Sequence, residues 1–228
     1  MARDRRKRNS ITREEIVTAG FELFESGDSE LSLRRLAARI GAAPMSLYAH
    51  FGSKEELLDA IADRVLGELN ATDPAMVASN WLDAATERAL RHLDVLQRHP
   101  WAVPLLLSRP YPGEEAARAG ETYLRLLAGG IPEPELAAAF TALLAQLYGA
   151  AAFLTMPATT PHAQSRGEVT DRIRRETSFE QTTAVSESLA AYGSPAHLRR
   201  AVRALLAGFS SQQLTDPDER SAARNDTP

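Results

Sequence analysis

The stretch Ser32-Leu33-Arg34-Arg35-Leu36-Ala37-Ala38-Arg39-Ile40-Gly41-Ala42-Ala43-Pro44-Met45-Ser46-Leu47-Tyr48-Ala49-His50-Phe51 decides the reading of the fold. Ser32 is a good N-cap, because its hydroxyl can accept an orphan amide of the first turn. Leu33, Leu36, Ala37 and Ile40 then recur at helical spacing. Gly41 follows at once, where a left-handed residue ends a helix without a Cβ clash. A second helix is predicted over Pro44 to His50, since the first turn leaves an amide unpaired that proline does not have. Two short helices joined by a tight glycine turn make a helix-turn-helix. Leu36, Ala37, Ile40 and Leu47 can glue the pair, and small Ala37 allows close approach. The second helix then offers Ala43, Pro44, Met45, Ser46, Tyr48 and Ala49 outward, so its start can enter a major groove of duplex DNA.

Working outward, Thr12-Arg13-Glu14-Glu15 reads as a capping box that opens a bracing helix, with Ile16, Ala19, Leu23 and Phe24 on one face and Gly27 at its end. Ser53-Lys54-Glu55-Glu56 reads as a second box, opening a long helix with Leu57, Leu58, Ile61, Val65 and Leu69 inward. Beyond a linker at 71–78, helices are predicted over Trp81 to Gln97, Glu114 to Leu127, Glu135 to Thr155 and Pro195 to Phe209. Trp101 to Ser108 is a short apolar segment, and Glu168 to Ala191 is helical but strongly polar. No stretch alternates like a strand. The expectation is an all-α chain: a basic arm at 1–11, a three-helix DNA-binding unit with its connecting helix at 12–70, a larger helical unit at 71–212 for an effector and for dimerisation, and a disordered tail at 213–228.

Composition narrows the function. The 228 residues carry a formal net charge of −4, so any attraction to nucleic acid must be local, as in Arg3 to Arg8. There is no cysteine, which excludes disulfides, thiolate zinc sites and cysteine nucleophiles. The arm has no apolar run after it and is not a secretory signal. Leu136 to Met156 is long enough to cross a bilayer, but alanines dominate it and Thr141 and Gln146 interrupt it, so a buried helix is expected and no membrane. No metal site, cofactor loop or nucleophile elbow is present by pattern, and a helical enzyme lacks any acid–base constellation.

The outward face of the second helix is poor in charge, so it would read shape and thymine methyls through Pro44, Met45 and Ala49. Arg34 is the candidate for a guanine edge, or else a solvated charge. Ser32, Ser46, Tyr48, His50 and Lys54 suit phosphates. Tyr48 could instead be a core tyrosine, and His50 a cap that orders the turn before Ser53.

The run from Leu33 through Gly41, Tyr48-Ala49-His50-Phe51 and Lys54-Glu55-Glu56-Leu57-Leu58 resembles the DNA-binding signature of the tetracycline-repressor (TetR) family. Arg98-His99-Pro100-Trp101, Ser108-Arg109-Pro110 and the helix through Gln146-Leu147-Tyr148-Gly149 resemble the C-terminal domain of its tetracycline-repressor subgroup. The resemblance implies an all-helical homodimer on a palindromic operator, released when a ligand in the larger domain changes the separation of the recognition helices. It also implies DNA contacts at Arg34, Pro44, Met45, Ser46, Tyr48, His50 and Lys54, and a cytoplasmic repressor. One departure matters. The subgroup chelates a magnesium–drug complex through a histidine and a glutamate; here those places fall at Leu105 or Leu106 and near Phe153, which cannot bind magnesium. The expected effector is therefore apolar or aromatic and metal-free.

For that effector, Arg88 and His92 lie four apart on one helix face, where they could hydrogen-bond a ligand or form a plain surface pair. Trp101, Leu105, Tyr123, Gln146, Tyr148, Phe153 and Met156 could line a cavity or serve as ordinary core. The dimer is expected through 135–155 and 195–209, with Leu198, Val202, Leu205, Leu206 and Phe209 as an apolar seam. The rival is a helix-turn-helix regulator without a small ligand, either an activator or one governed by a protein partner.

Overall fold

The computed structural model of the protein describes residues 11–71, 80–109, 112–155, 168, 171, 175, 180–186, 188 and 194–211. The fold is all-α. Among the described residues ten helices follow one another: α1 (Arg13–Glu25), α2 (Leu33–Arg39), α3 (Pro44–Leu47), α4 (Lys54–Asn70), α5 (Trp81–Arg98), α6 (Ala102–Ser108), α7 (Glu114–Leu127), α8 (Glu133–Thr155), α9 (Glu180–Ala184) and α10 (Pro195–Ser211). Most of the basic arm, the 72–79 segment, Met156, the 157–167 stretch and the tail beyond 212 lie outside the described residues.

Local chemistry sets the helix starts. At α1 the capping box is complete: the Glu15 amide donates to the Thr12 hydroxyl at 3.1 Å, and the Thr12 amide donates to the Glu15 carboxylate at 2.9 Å. At α4 the expected second box is only half formed. The Glu56 amide donates to Ser53 Oγ at 3.0 Å, but the Glu56 carboxylate reaches past Ser53 to the Gly52 amide at 2.7 Å. The same carboxylate group also takes Arg13 at 2.8 Å, which draws it towards α1. Gly27 and Gly41 adopt φ of +99° and +70°, the left-handed turns that other residues resist.

Several boundaries differ from the pattern reading. Regular α3 ends at Leu47, because Ala49 and His50 bond to Ser46 and Leu47 three residues back, which tightens the turn. Helix α8 begins at Glu133, since Pro134 is tolerated in a first turn. Helix α10 runs on to Ser211. Of the polar segment predicted as one helix, the described residues Glu168, Asp171, Arg175, Glu180–Ala184, Ser186 and Ser188 are helical, and Val185 is a turn.

Two apolar cores result. The smaller joins Ile16, Leu23, Phe24, Leu36, Leu47, Phe51, Leu57 and Ile61 from α1 to α4. The larger gathers Val65, Leu66 and Leu69 of α4 with the inner faces of α5 to α8 and α10. Each fully buried leucine or isoleucine contributes about 1.5–3 kcal/mol. Helix α4 thus belongs to both cores. The apolar stretch Glu133–Leu154 passes the length and composition test for a membrane span, and 33% of it is buried within the chain. Ala139, Leu143, Leu147, Ala150 and Ala151 of that helix sit in the larger core.

Candidate functional site

The turn between α2 and α3 is fixed from inside. The Ala42 amide donates to the Ala37 carbonyl at 2.8 Å, and Leu36, Ala37 and Leu47 are buried against α1. What remains outside is the face that the residue pattern predicts. Ala43, Pro44, Met45, Tyr48 and Ala49 are exposed, with Met45 at 76% and Tyr48 at 46%. Ser46 is half-buried, and its hydroxyl donates to the Ala43 carbonyl at 2.8 Å, which stiffens the first turn. Tyr48 is therefore not a core tyrosine.

Charge is sorted around this face. Arg35 pairs with Asp28 at 2.6 Å and Arg39 with Glu22 at 2.8 Å. Arg34 is exposed, and no ion pair or hydrogen bond holds its side chain among the described residues. Ser32 caps α2, its hydroxyl accepting the Arg35 amide at 3.4 Å. His50 and Lys54 are half-buried at the edge of the face. The His50 carbonyl accepts Arg13 at 2.8 Å, and the Arg13 guanidinium lies 4.0 Å over the Phe51 ring. Arg13, which nothing in the local pattern singles out, thereby clamps the turn between α3 and α4. This surface offers hydroxyls, one uncommitted guanidinium and apolar tips, a set suited to phosphates and base edges.

The larger core holds a second polar group. Arg88, His92 and Tyr123 are 1%, 2% and 1% exposed. Arg88 and His92 are thus not a surface pair: α7 and α8 cover them. Arg88 donates to Asn70 Oδ1 at 2.9 Å, and the Asn70 amide donates to the Glu115 carboxylate at 2.7 Å. The Tyr123 hydroxyl lies 3.3 Å from His92 Nδ1, while His92 Nε2 is buried with no hydrogen-bond partner. Burial, and then the neighbouring Arg88 charge, pushes His92 down to about 3, so its ring is neutral at pH 7. Burial pushes the Tyr148 phenol up to about 12. His92, Tyr123, Phe140, Leu144 and Tyr148 are among the walls of a cavity of about 30 Å³.

The other predicted cavity residues do not join them. Trp101 stacks on Phe24 with ring centroids 4.7 Å apart and donates to Glu25 at 2.6 Å, so it joins the two cores instead. Leu105 packs against both cores. Gln146 is half-buried and Phe153 is 65% exposed. The helical period explains this: Gln146 stands about 200° around α8 from Tyr148, and Phe153 about 180° from Leu144. Asn70, Glu115 and Phe140 are missed by the sequence reading, since each acquires its role only from a distant helix.

At the joint, His99 sits between the Glu25 and Glu68 carboxylates, at 2.7 and 3.1 Å. Burial raises the Glu25 carboxyl, but hydrogen bonds from His99 and Trp101 outweigh it and hold the group below its ordinary range. Glu68 is likewise raised by burial and brought lower overall by Arg98 and His99. Asp63 of α4 accepts the Glu115 and Ala116 amides at 3.1 and 2.8 Å and so caps α7.

Residues 16–61 match the profile of "Bacterial regulatory proteins, tetR family". Residues 73–213 match that of "Tetracyclin repressor-like, C-terminal domain". An HTH-type transcriptional regulator of Saccharopolyspora erythraea is 31% identical over 206 residues, covering 88% of this chain and 85% of that protein. The HTH-type transcriptional repressor DrrR1 of Streptomyces coeruleorubidus is 34% identical over 62% of this chain and 53% of its own. Among solved structures, the TetR regulator SCO7222 of Streptomyces coelicolor superposes with a TM-score of 0.75 at 26% identity, over 88% of this chain and 98% of that one. The TetR family protein ActR of the same organism, in complex with actinorhodin, gives 0.73 at 22% identity, over 88% and 96%.

Proposed function

The chain belongs to the tetR family of bacterial regulatory proteins, and from that premise we propose that this DNA-binding transcriptional regulator is a cytoplasmic repressor, bound to a palindromic operator as a homodimer and released by an apolar or aromatic small molecule. The observation that carries the reading is the exposed Pro44–Ala49 face beside an uncommitted Arg34. The division of labour follows the two cores, with 12–70 reading DNA and 71–212 taking the effector and the second subunit. Ser32, Ser46, Tyr48, His50 and Lys54 hold phosphates, Arg34 reaches a base edge, and Ala43, Pro44 and Met45 fill the groove.

The homodimer joins α8 and α10 of each subunit. Leu198, Val202 and Leu206 of the expected seam are buried in the chain's own larger core, so the faces left to a second subunit are those of Ala138 and Thr141 on α8 and of Ala204 and Gly208 on α10. Such small residues let helices of two subunits approach closely, and two-fold symmetry matches a palindrome. Leu105, Leu106 and Phe153 offer no oxygen or nitrogen to magnesium, which argues against a magnesium–tetracycline effector. The ActR complex with actinorhodin is a case of this fold holding an organic molecule.

The rival without a small ligand draws on the inner cavity, whose 30 Å³ is room for about one water. Against it stands an adjoining groove of about 430 Å³ between α6 and α8. Selecting duplexes from a random pool tests the reading: a palindrome with half-sites about one helical turn apart is expected. Tyr48→Ala should abolish operator binding in a gel shift while leaving the dimer folded. Unchanged affinity would refute the assigned face. Thermal-shift screening of apolar compounds then separates the effector reading from its rival.

A further inference from the structure

The inner cavity and the outer groove are separated by the same two side chains. Leu144 and Tyr148 line the cavity on one side, and on the other they line the groove with Leu106, Leu107, Ala145 and Ala152. Both are only partly buried. Tyr148 is flanked on α8 by Ala145, Gly149 and Ala152, and a Cβ added at Gly149 would meet nothing within 4 Å. The helix surface beside the ring is thus open, and on the inner side the ring makes an edge-on contact with His92, at 5.6 Å between centroids.

We infer that Leu144 and Tyr148 form a movable partition, and that with Tyr148 turned aside a flat aromatic ketone or quinone lies in the joined chamber with its carbonyl oxygen on His92 Nε2. This rests on the effector reading above and assigns that effector its chemistry. A neutral imidazole has one donor and one acceptor nitrogen. We assign the Tyr123 hydroxyl as donor to His92 Nδ1, 3.3 Å away, because the phenol has no other acceptor among the described residues; this assignment puts the imidazole proton on Nε2. That N–H is buried and unpartnered, so the group completing the site must accept. Because burial and Arg88 keep the ring neutral, the donor is uncharged and suits a carbonyl better than a carboxylate. The rings of Phe140, Tyr123 and Tyr148 around the cavity favour a flat aromatic body.

The test uses 9-fluorenone and fluorene, which share a shape but differ in the carbonyl. Titration of the full-length protein by calorimetry should show fluorenone binding about tenfold more tightly. The carbonyl stretch of bound fluorenone should move to lower frequency than in alkane. In His92→Phe the preference should vanish while fluorene still binds. In Tyr148→Ala both should bind more tightly than to the wild type, because the partition is gone. Equal affinities in the wild type, an unshifted carbonyl band, or a preference that survives His92→Phe would each overturn the assignment. So would failure of both probes to bind even Tyr148→Ala. If fluorenone binds as stated but leaves the operator complex intact, the chamber stands and the effector reading falls. If other compounds release the operator while the two probes bind alike, the effector reading stands and this assignment falls.

Discussion

The α2–α3 head and the larger core treat polar atoms in opposite ways. At the head, Arg34 and Tyr48 stand in water with their polar groups uncommitted. In the core, Arg88, His92 and Tyr123 are withdrawn from water and tied to one another's neighbourhood. Exposed cations act through phosphates and counterion release, so their effect fades with salt. Buried donors act where water cannot compete, and a single unsatisfied atom costs about 1–3 kcal/mol. One end of the molecule leaves its polar groups to water; the other leaves His92 Nε2 buried without a partner.

The largest expected effect lies where the two regions meet. Phe24→Ala removes the ring that Trp101 stacks on and empties part of the smaller core. Stability should fall by about 3–5 kcal/mol, and urea unfolding should resolve two transitions, head before core. A single, unshifted transition would mean that the regions are not separable in this way. Next, Arg34→Ala should weaken operator binding by about 1–3 kcal/mol, relax preference at one base pair and leave the melting temperature unchanged. If only the salt slope drops, Arg34 touches a phosphate instead.

Gly130→Ala sharpens the contrast from the other side. A Cβ there would clash with the Trp81 indole, so the larger core must shift, at a cost of about 1–3 kcal/mol seen by thermal melting. Operator affinity of the folded fraction should not change. The smallest effect is acidic. Glu25 and Glu68 have folded pKa values below their ordinary 4.5, so their contribution is full above that pH and is lost as pH falls through the folded values. The urea midpoint should hold from pH 7 to about 5 and decline below about 4.5, with a shallower decline in Glu25→Gln.

Sequence resolved the head better than the core because the head is assembled from near neighbours. Thr12 with Glu15, Ser53 with Glu56, and Gly41 are all local signals, and they placed α1, α4 and the turn. The second half of the Ser53 box failed because Arg13, far away in sequence, competes for Glu56. The start of α7 shows the same limit. Gly113 has no side chain to cap it, and the caps come instead from Asp63, about fifty residues earlier. Arg88 and His92 were legible as helical neighbours, but nothing on α5 alone says that α7 and α8 will cover them. Trp101 was legible as an apolar aromatic; only the arrival of Phe24 decides which cavity it leaves and which joint it makes.

Helix α4 is a run of 17 residues, about 25 Å from Lys54 to Asn70. Its far end is moored twice to α7, through Asn70 to Glu115 and through Asp63 to the first amides of that helix. A rod held so firmly at one end behaves as a lever. If a guest displaced α7 enough to tilt it by five degrees about Asn70, Lys54 would swing through an arc of about 2 Å. A change of that size is comparable to the tolerance of a side chain fitted against a base edge.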